Sequence, residues 1–277
     1  MAIDRSDPGP KVAAHQREGT GVTRIPYPIE VRRVQVLRTE LVTPRMLRVT
    51  LGGEELADLH THAADDHVRV VYAHEDGTRD DPVPNDRQML DWPRPMPPTR
   101  QYTIRRYDPE ARELDLDVVV HEGGVGSTWA TTAAPGDPVV IAGPPGAKTF
   151  PHTYRHYVFA VDPTALPALA RWLEEADWLE ASGTTALVAV DHDHPEETGY
   201  PLTERDGVEV HWFSRAEGSR LAEEVIDRTP EMPPGEVFVF AAGETTDLKP
   251  LRRWSKMRGY DSLITGYWKR GVTGLEA

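Results

Sequence analysis

The sequence contains no cysteine. This absence excludes disulfide scaffolds, thiolate zinc sites, cysteine-ligated iron–sulfur clusters and thiol nucleophiles. A redox function would therefore need a bound organic cofactor or a metal that arrives with the substrate.

Long apolar segments are missing as well. No stretch approaches the roughly 20 apolar residues that cross a bilayer. The first 23 residues also lack the basic start and apolar run of a secretory signal. We therefore expect a soluble cytoplasmic protein that does not associate with membranes.

Positive charge is scarce: 31 basic residues face 45 acidic ones, which gives a formal charge of −14. Such a balance opposes attraction to nucleic acid or anionic lipid, so we expect no nucleic-acid partner. An anionic substrate would need a local basic cluster. The segment Lys249–Arg270 is one, because it carries seven cations and only one acid, Asp261.

The 277 residues suffice for two domains, and the hydrophobic pattern changes along the chain. Residues 1–24 are polar and aperiodic, which predicts a flexible arm. From Val31 onward, alternating apolar residues indicate six short strands, so we predict a closed six-stranded antiparallel barrel over residues 25–148. Apolar runs then alternate with helical patterns, which predicts a parallel-sheet nucleotide-binding domain over residues 149–277.

Three segments carry more local predictions. The proline-rich run Pro82–Pro98 indicates a long surface loop, because proline cannot donate to a sheet ladder. Residues from Pro163 to Trp178 have helical spacing. The run Asp191–Glu197 offers two histidines among acidic residues, as a metal site would. We interpret it as a solvated acidic loop and predict no metal site.

A candidate cofactor strand begins at Arg100. Tyr102 could lie against a flavin ring, and the guanidinium of Arg100 could hold a phosphate in two parallel hydrogen bonds. An ordinary barrel strand with an exposed arginine remains the alternative on these residues alone.

A glycine-rich turn follows at His121-Glu-Gly-Gly-Val-Gly-Ser-Thr-Trp-Ala130, where a strand runs into a helix start. Free N–H groups at a helix N-terminus attract phosphate, and glycine lets the backbone approach it closely. Simple capping of the helix by Ser127 is the alternative.

Taken in order, these blocks resemble the siderophore-interacting protein family, bacterial FAD-dependent ferric-siderophore reductases of the ferredoxin-reductase superfamily. The matching blocks are Arg100–Arg105, Val118–His121 with Gly126–Ala130, Pro135–Asp137 with Gly143–Gly146, Asp162–Pro167, Ala242–Glu244 and Gly266–Gly271. The resemblance implies a Greek-key FAD-binding barrel followed by a NAD(P)H-binding domain.

The resemblance also implies roles for individual residues. The implied cofactor-binding residues are Arg100, Gln101, Tyr102, Thr103, Val119, His121, Gly126, Ser127, Thr128, Trp129, Asp162, Thr164, Ala242, Gly243 and Glu244. For an anionic ferric siderophore the implied contacts are Lys269, which the resemblance places beside the flavin, with Arg69 and Arg270. Two positions depart from the family pattern: Glu122 replaces a glycine, and Arg69 replaces a lysine.

The implied reaction passes electrons from NADH, NADPH or reduced ferredoxin to the iron. A nicotinamide gives two electrons and Fe(III) accepts one, so the flavin converts between them. Siderophore oxygens suit Fe(II) less well, so reduction releases the metal. No catalytic acid or nucleophile is required.

Two other functions are compatible with the sequence. The chain could be a non-catalytic module that carries ferric siderophore or heme. It could also be a general flavin or ferredoxin-type reductase, because a fold does not fix the electron acceptor. Arg215 could meet the 2′-phosphate of NADPH or be a plain surface arginine.

Overall fold

The computed structural model describes residues 4–177, 179 and 184–272. Trp178, the predicted helix end, and residues 273–277 lie outside this set. The chain divides into two compact units. One comprises Arg24–Thr149 with the described part of Met1–Ala14, and the other comprises His15–Thr23 with the described part of Phe150–Ala277.

The first unit is built around a closed barrel. Its antiparallel strands follow one another around the barrel in the order β2, β3, β8, β7, β4, β9. Their bounds are β2 Val31–Thr43, β3 Met46–Gly52, β4 His67–Val71, β7 Thr99–Asp108, β8 Glu113–Val119 and β9 Pro138–Ala142. Closure leaves the barrel without a free sheet edge, and the predicted six-stranded Greek-key barrel is confirmed.

Apolar residues at alternate positions fill the barrel. Val34 and Val36 of β2, Val49 and Leu51 of β3, and Leu114 and Leu116 of β8 form one buried cluster with residues of the other strands. The helix α2, Val125–Thr132, packs Ala130 into the same cluster. Two short strands, β1 Thr23–Pro26 and β10 Gly146–Thr149, pair beside the barrel.

The N-terminal segment differs from the expected flexible arm. Residues Pro8–Glu18 form a helix, α1. Val12 is its apolar anchor: it is 1% exposed and packs with Ile25, Tyr27 and Ala147. Arg5 donates to the carbonyl of Tyr27 at 2.5 Å. A single buried valine gives no periodicity, which is why the sequence pattern did not indicate this helix.

The proline-rich run also differs from a simple loop. It contains a small hairpin of β5 Val83–Pro84 and β6 Leu90–Asp91. The side chain of Asn85 closes the turn by accepting from the backbone N–H groups of Arg87 and Met89.

The second unit contains a parallel sheet of five strands in the order β13, β12, β11, β14, β15. The strands are β11 His156–Val161, β12 Thr185–His192, β13 Val208–Ser214, β14 Val237–Glu244 and β15 Asp261–Trp268. Helices α3 Leu166–Glu175, α4 Leu221–Arg228 and α5 Lys249–Arg258 cover it, with 3₁₀ turns at Pro163–Ala165 and Pro195–Gly199. The predicted parallel sheet is confirmed.

The fifth strand, β15, was missed because its polar and glycine residues obscure the apolar pattern of a strand. The order of the strands places a topological switch between β11 and β14, where the chain changes direction across the sheet. Ligands of open parallel sheets bind outside the carboxyl ends of the strands at this point. Within the described ranges, no helix is long and apolar enough to cross a membrane.

Candidate functional site

One candidate site lies where β7 approaches helix α2. The hydroxyl of Tyr72 donates to that of Tyr102 at 3.0 Å, and both rings lie near Trp129, with centroids 5.8 and 6.3 Å away. Burial raises the pKa of both phenols, while the positive charge of Arg100 opposes that shift. The structure therefore brings Arg100, Tyr102 and Trp129 together, and adds Tyr72.

Gly126 completes this cluster, because a Cβ at this position would collide with the Tyr102 hydroxyl. It lies in the first turn of α2, and no side chain caps the N-terminus of that helix. The N–H groups of this turn thus retain the anion affinity of an uncapped helix start. The alternative interpretation, capping of the helix by Ser127, is not what the structure shows.

Ser127 instead ties the end of β8 to the turn. Its hydroxyl donates to the carbonyl of Val119 at 3.2 Å and accepts from the N–H of His121 at 2.6 Å. The residue is buried, whereas the His121 ring is exposed and contacts the carbonyl of Glu122 at 3.0 Å. The hydroxyl of Ser127 therefore holds the turn in shape, and Thr128 next to it is exposed.

The remaining predicted barrel residues lie on the other face of the strands. Thr103 pairs with His67, and Gln101 pairs with Arg69, across β7 and β4. Arg69 donates to the hydroxyl of Thr99 at 2.8 Å and lies 5.7 Å from the ring centre of Trp92. Strand alternation thus separates Gln101 and Thr103 from Arg100 and Tyr102.

A pocket of about 330 Å³ opens next to His67, the residue that pairs with Thr103 across β4 and β7. Its charged lining consists of Arg24, Asp65 and Lys148, in addition to His67 itself. Burial lowers the pKa of His67, and the charges of Lys148 and Arg69 lower it further. The pocket is therefore positive even with a neutral imidazole, and sequence reasoning missed both Arg24 and Lys148.

These features fit the FAD that the sequence resemblance implies. The glycine at position 126 leaves a cradle that a Cβ would fill, the N–H groups of α2 suit a pyrophosphate, and aromatic rings lie beside them. Arg100 is half-buried at the same place and donates to the carbonyl of Thr99 at 2.7 Å.

A second candidate site surrounds Asp162, at the carboxyl end of β11. This carboxylate is 2% exposed and accepts from the N–H and hydroxyl of Thr164 at 2.9 and 2.5 Å. Its other oxygen accepts from the N–H of Glu244 at 2.9 Å and from the indole of Trp268 at 2.7 Å. Asp162 thus joins the ends of β11, β14 and β15.

Gly243 and Glu244 form the end of β14 beside this carboxylate. Gly243 has φ +149°, and a Cβ there would meet the Asp162 carboxyl group at 2.6 Å. Burial alone would raise the pKa of Glu244. Its carboxylate accepts hydrogen bonds from the backbone N–H groups of Arg270, Asp247 and Thr246, and the net effect is a lowered pKa. The structure brings together Asp162, Thr164, Ala242, Gly243 and Glu244.

The guanidinium groups of two arginines lie near the ring of Trp268. Arg215 lies 5.4 Å and Arg270 5.7 Å from its ring centre. Arg215 is not a plain surface residue: its Nε donates to Asp193 at 2.7 Å, and its Nη2 donates to the other oxygen of Asp193. Arg270 makes a similar bidentate pair with Asp247, at 3.1 and 2.6 Å.

The acidic run from Asp191 is solvated only in part, because Asp193 and Glu196 are exposed. Asp191 lies in β12, is 1% exposed and accepts from the Ser219 hydroxyl, while its Oδ1 has no partner in the described part of the chain. Burial raises its pKa to about 6. Glu197 is also buried, and it accepts from the N–H groups of Asp193 and His194.

The basic segment is mostly helix α5 and strand β15. Arg258 pairs with Glu231 at 2.9 Å, and Arg252 donates to the carbonyl of Ile264 at 3.0 Å. Lys269 follows β15 and is exposed, and no ion-pair partner is found for its ammonium among residues 4–177, 179 and 184–272.

Comparisons with known proteins match both units. A family model described as the siderophore-interacting FAD-binding domain matches residues 35–148, and one described as siderophore-interacting protein matches residues 154–271. The resemblance found in the sequence, and the FAD-binding domain it implied, are therefore confirmed.

Several individual proteins are similar over most of their length. The NADPH-dependent ferric-chelate reductase of Escherichia coli is 31% identical over 88% of this chain and 95% of its own. The ferric vibriobactin reductase ViuB of Vibrio cholerae is 28% identical over 87% and 90%. The crystal structure of a siderophore utilization protein from T. fusca is 36% identical, with a TM-score of 0.82 over 92% of this chain and 98% of that one.

The substitution Gly126→Ala tests the cradle beside α2. The added methyl group must displace the Tyr102 hydroxyl, so we expect FAD affinity to fall by about tenfold, as overpacking by 1–3 kcal/mol would produce. The measurement is titration of the flavin-free protein with FAD, followed by flavin fluorescence.

Gly199→Ala is the matched control, because a Cβ there meets no atom within 4 Å. Unchanged FAD affinity in Gly126→Ala would show that the cradle does not contact the cofactor.

Asp191→Asn tests the buried carboxylate. Burial raises the pKa of Asp191 from 3.8 to about 6, so ionisation of this residue destabilises the folded protein. The destabilisation grows as the pH rises from about 4 to 6 and persists at higher pH. We expect the variant to melt roughly 2 to 4 °C above the wild type at pH 8. The two proteins should melt alike near pH 4.

Calorimetry at both pH values measures this difference. Asp227→Asn removes an exposed carboxylate from helix α4 and serves as the control. A variant that melts below the wild type at pH 8 would contradict the expectation.

Proposed function

Because the chain belongs to the siderophore-interacting protein family, we propose that it is an NAD(P)H-dependent ferric-siderophore reductase that contains FAD. The observation that carries this proposal is the barrel site around Tyr102 and Gly126, which fits a flavin nucleotide. We propose further that the enzyme acts in the cytoplasm and releases Fe(II) for iron assimilation.

In this proposal the barrel residues bind and orient the cofactor. The N–H groups at the start of α2 hold the pyrophosphate, Arg100 adds a positive charge, and Tyr102 contacts the ring system, whereas Thr103 lies on the other face of β7, beside His67. Val119, His121 and Ser127 keep the turn in position through the serine hydroxyl. Bound FAD would convert between a two-electron donor and a one-electron acceptor.

The nucleotide would bind at the carboxyl ends of β11 and β14. Asp162 and Glu244 are buried and fully engaged with protein groups, so their contribution is to shape the edge of the sheet. Thr164 and the backbone at Gly243 remain to contact the nicotinamide nucleotide. This position agrees with the rule for ligands of open parallel sheets.

The substrate would be an anionic chelate of Fe(III). In the barrel unit, Arg24 and Lys148 line the pocket beside His67, and the positive charge of Arg69 also acts on His67. In the second unit, Lys269 is an exposed cation at the end of β15. Against a net charge of −14, such local positive groups are what would attract an anion.

The test is spectroscopic. Purified protein should absorb near 450 nm, bleach on addition of NADH or NADPH without oxygen, and regain its colour when a ferric siderophore is added while a chelator traps Fe(II). A colourless protein that takes up no FAD would leave the carrier alternative. Equal rates with ferredoxin and with several unrelated ferric chelates would favour a general reductase.

Lys269→Ala tests the proposed substrate contact. Loss of this exposed cation should raise the KM for an anionic ferric siderophore about fivefold and weaken its salt dependence, with FAD occupancy unchanged. Steady-state kinetics at two ionic strengths measure both effects.

Lys256→Ala removes the same charge from the exposed face of α5 and is the control. If Lys269→Ala loses FAD and keeps its KM, then Lys269 has been assigned to the wrong ligand.

A further inference from the structure

The ends of β12 and β13 carry the two residue types that distinguish NADH from NADPH. In dinucleotide-binding sheets, an acidic side chain beyond the second strand accepts from the ribose 2′-hydroxyl, whereas an arginine nearby accommodates a 2′-phosphate. Here β12 is the second strand of the parallel sheet in chain order and is followed by Asp193, and β13 is followed by Arg215. The parallel register sets His192 opposite Ser214, which brings the next residues together.

These two side chains bind each other. Asp193 accepts two hydrogen bonds from the guanidinium, one of them at 2.7 Å, and Arg215 Nη1 lies 3.5 Å from Asp162. The Arg215 side chain is only 6% exposed, and its Cζ lies 5.4 Å from the ring centre of Trp268. Arg215 therefore has little surface left for another anion.

Asp193 is the exposed member of the pair, with 48% of its side chain accessible. An ionised carboxylate has about four lone-pair sites, so it can accept a ribose hydroxyl while it keeps both bonds to Arg215. The hydrogen bond from Arg215 and the nearby charge lower the pKa of Asp193, which keeps it ionised at neutral pH. A nucleotide that reaches this edge meets the carboxylate first.

The other charges nearby do not favour a phosphate. Asp162, Asp193 and Asp191 all act on the single guanidinium of Arg215. Arg270 is committed to Asp247, and Arg220 is paired with Glu224 at 2.6 Å. A 2′-phosphate would have to displace Asp193 and would then lie among carboxylates.

We propose that the pairing of Asp193 with Arg215 makes this protein prefer NADH to NADPH, with Asp193 as the acceptor for the 2′-hydroxyl of the adenosine ribose. The preference rests on the proposed function, since it concerns the nucleotide that the reductase would use. It sets this chain apart from the relative in Escherichia coli that is named for NADPH.

The first experiment measures binding without turnover. Calorimetric titration of the FAD-loaded protein with 5′-ADP and with 2′,5′-ADP isolates the effect of the 2′-phosphate. We expect 5′-ADP to bind at least about tenfold more tightly. Equal affinity, tighter binding of 2′,5′-ADP or no binding of either compound would overturn the proposal.

The second experiment uses Asp193→Asn. Removing the charge frees the Arg215 fork, so the preference for 5′-ADP should fall by about tenfold or reverse. Glu231→Gln, which loses a carboxylate from the surface pair with Arg258, should keep the wild-type ratio. An unchanged ratio of the affinities for 5′-ADP and 2′,5′-ADP in Asp193→Asn would also overturn the proposal. If that variant does not fold, the affinity ratio of the wild-type protein tests the proposal by itself.

Flavin bleaching by NADH and by NADPH separates this inference from the proposed function. If neither nucleotide bleaches the flavin, the reductase function fails, while the ADP titrations still judge the role of Asp193. If both bleach it and NADPH is as fast as NADH at low concentration, the reductase function stands and the preference for NADH is wrong.

Discussion

The buried carboxylate of Asp162 organises the second unit. It accepts hydrogen bonds from its own 3₁₀ turn, from the backbone of β14 and from the indole at the end of β15, and it lies near the guanidinium that follows β13. A buried charge is tolerated only when it is paired and hydrogen-bonded, as it is here. The choice of residue at neighbouring positions is therefore restricted: position 243 requires glycine, and position 268 needs a side chain that donates a hydrogen bond.

The barrel unit has a comparable constraint, built from aromatic groups. Tyr72, Tyr102 and Trp129 form a cluster of three rings in which a hydrogen bond joins the two phenols. Helix α2 can approach this cluster closely because Gly126 has no side chain. The uncapped N-terminus of the helix is thereby held beside Arg100, so packing and anion binding depend on the same glycine.

Much of this architecture is predictable from the sequence, and the features that are not predictable have physical causes. Alternation in strands such as Leu114–Val118 depends on local spacing, which a sequence displays. The cofactor roles of Tyr102 and Gly126 were implied by the family resemblance, and their contact is a feature of the fold. Helix α1 was missed because one valine anchors it, and β15 because its buried and exposed positions do not alternate clearly. The pair of Asp193 and Arg215 spans 22 residues and exists only through the register of β12 with β13, so residue types alone could not reveal it.

The contact between Gly126 and Tyr102 has a consequence for how this protein can diverge. Substitutions at touching positions are not independent, because the effect of one depends on what the other residue is. A larger side chain at position 126 becomes tolerable only after position 102 has lost its hydroxyl or its ring, and such a first step would remove an aromatic group from the barrel site. Substitutions at the two positions are therefore expected to occur together during evolution, because a change at either position alone is unfavourable.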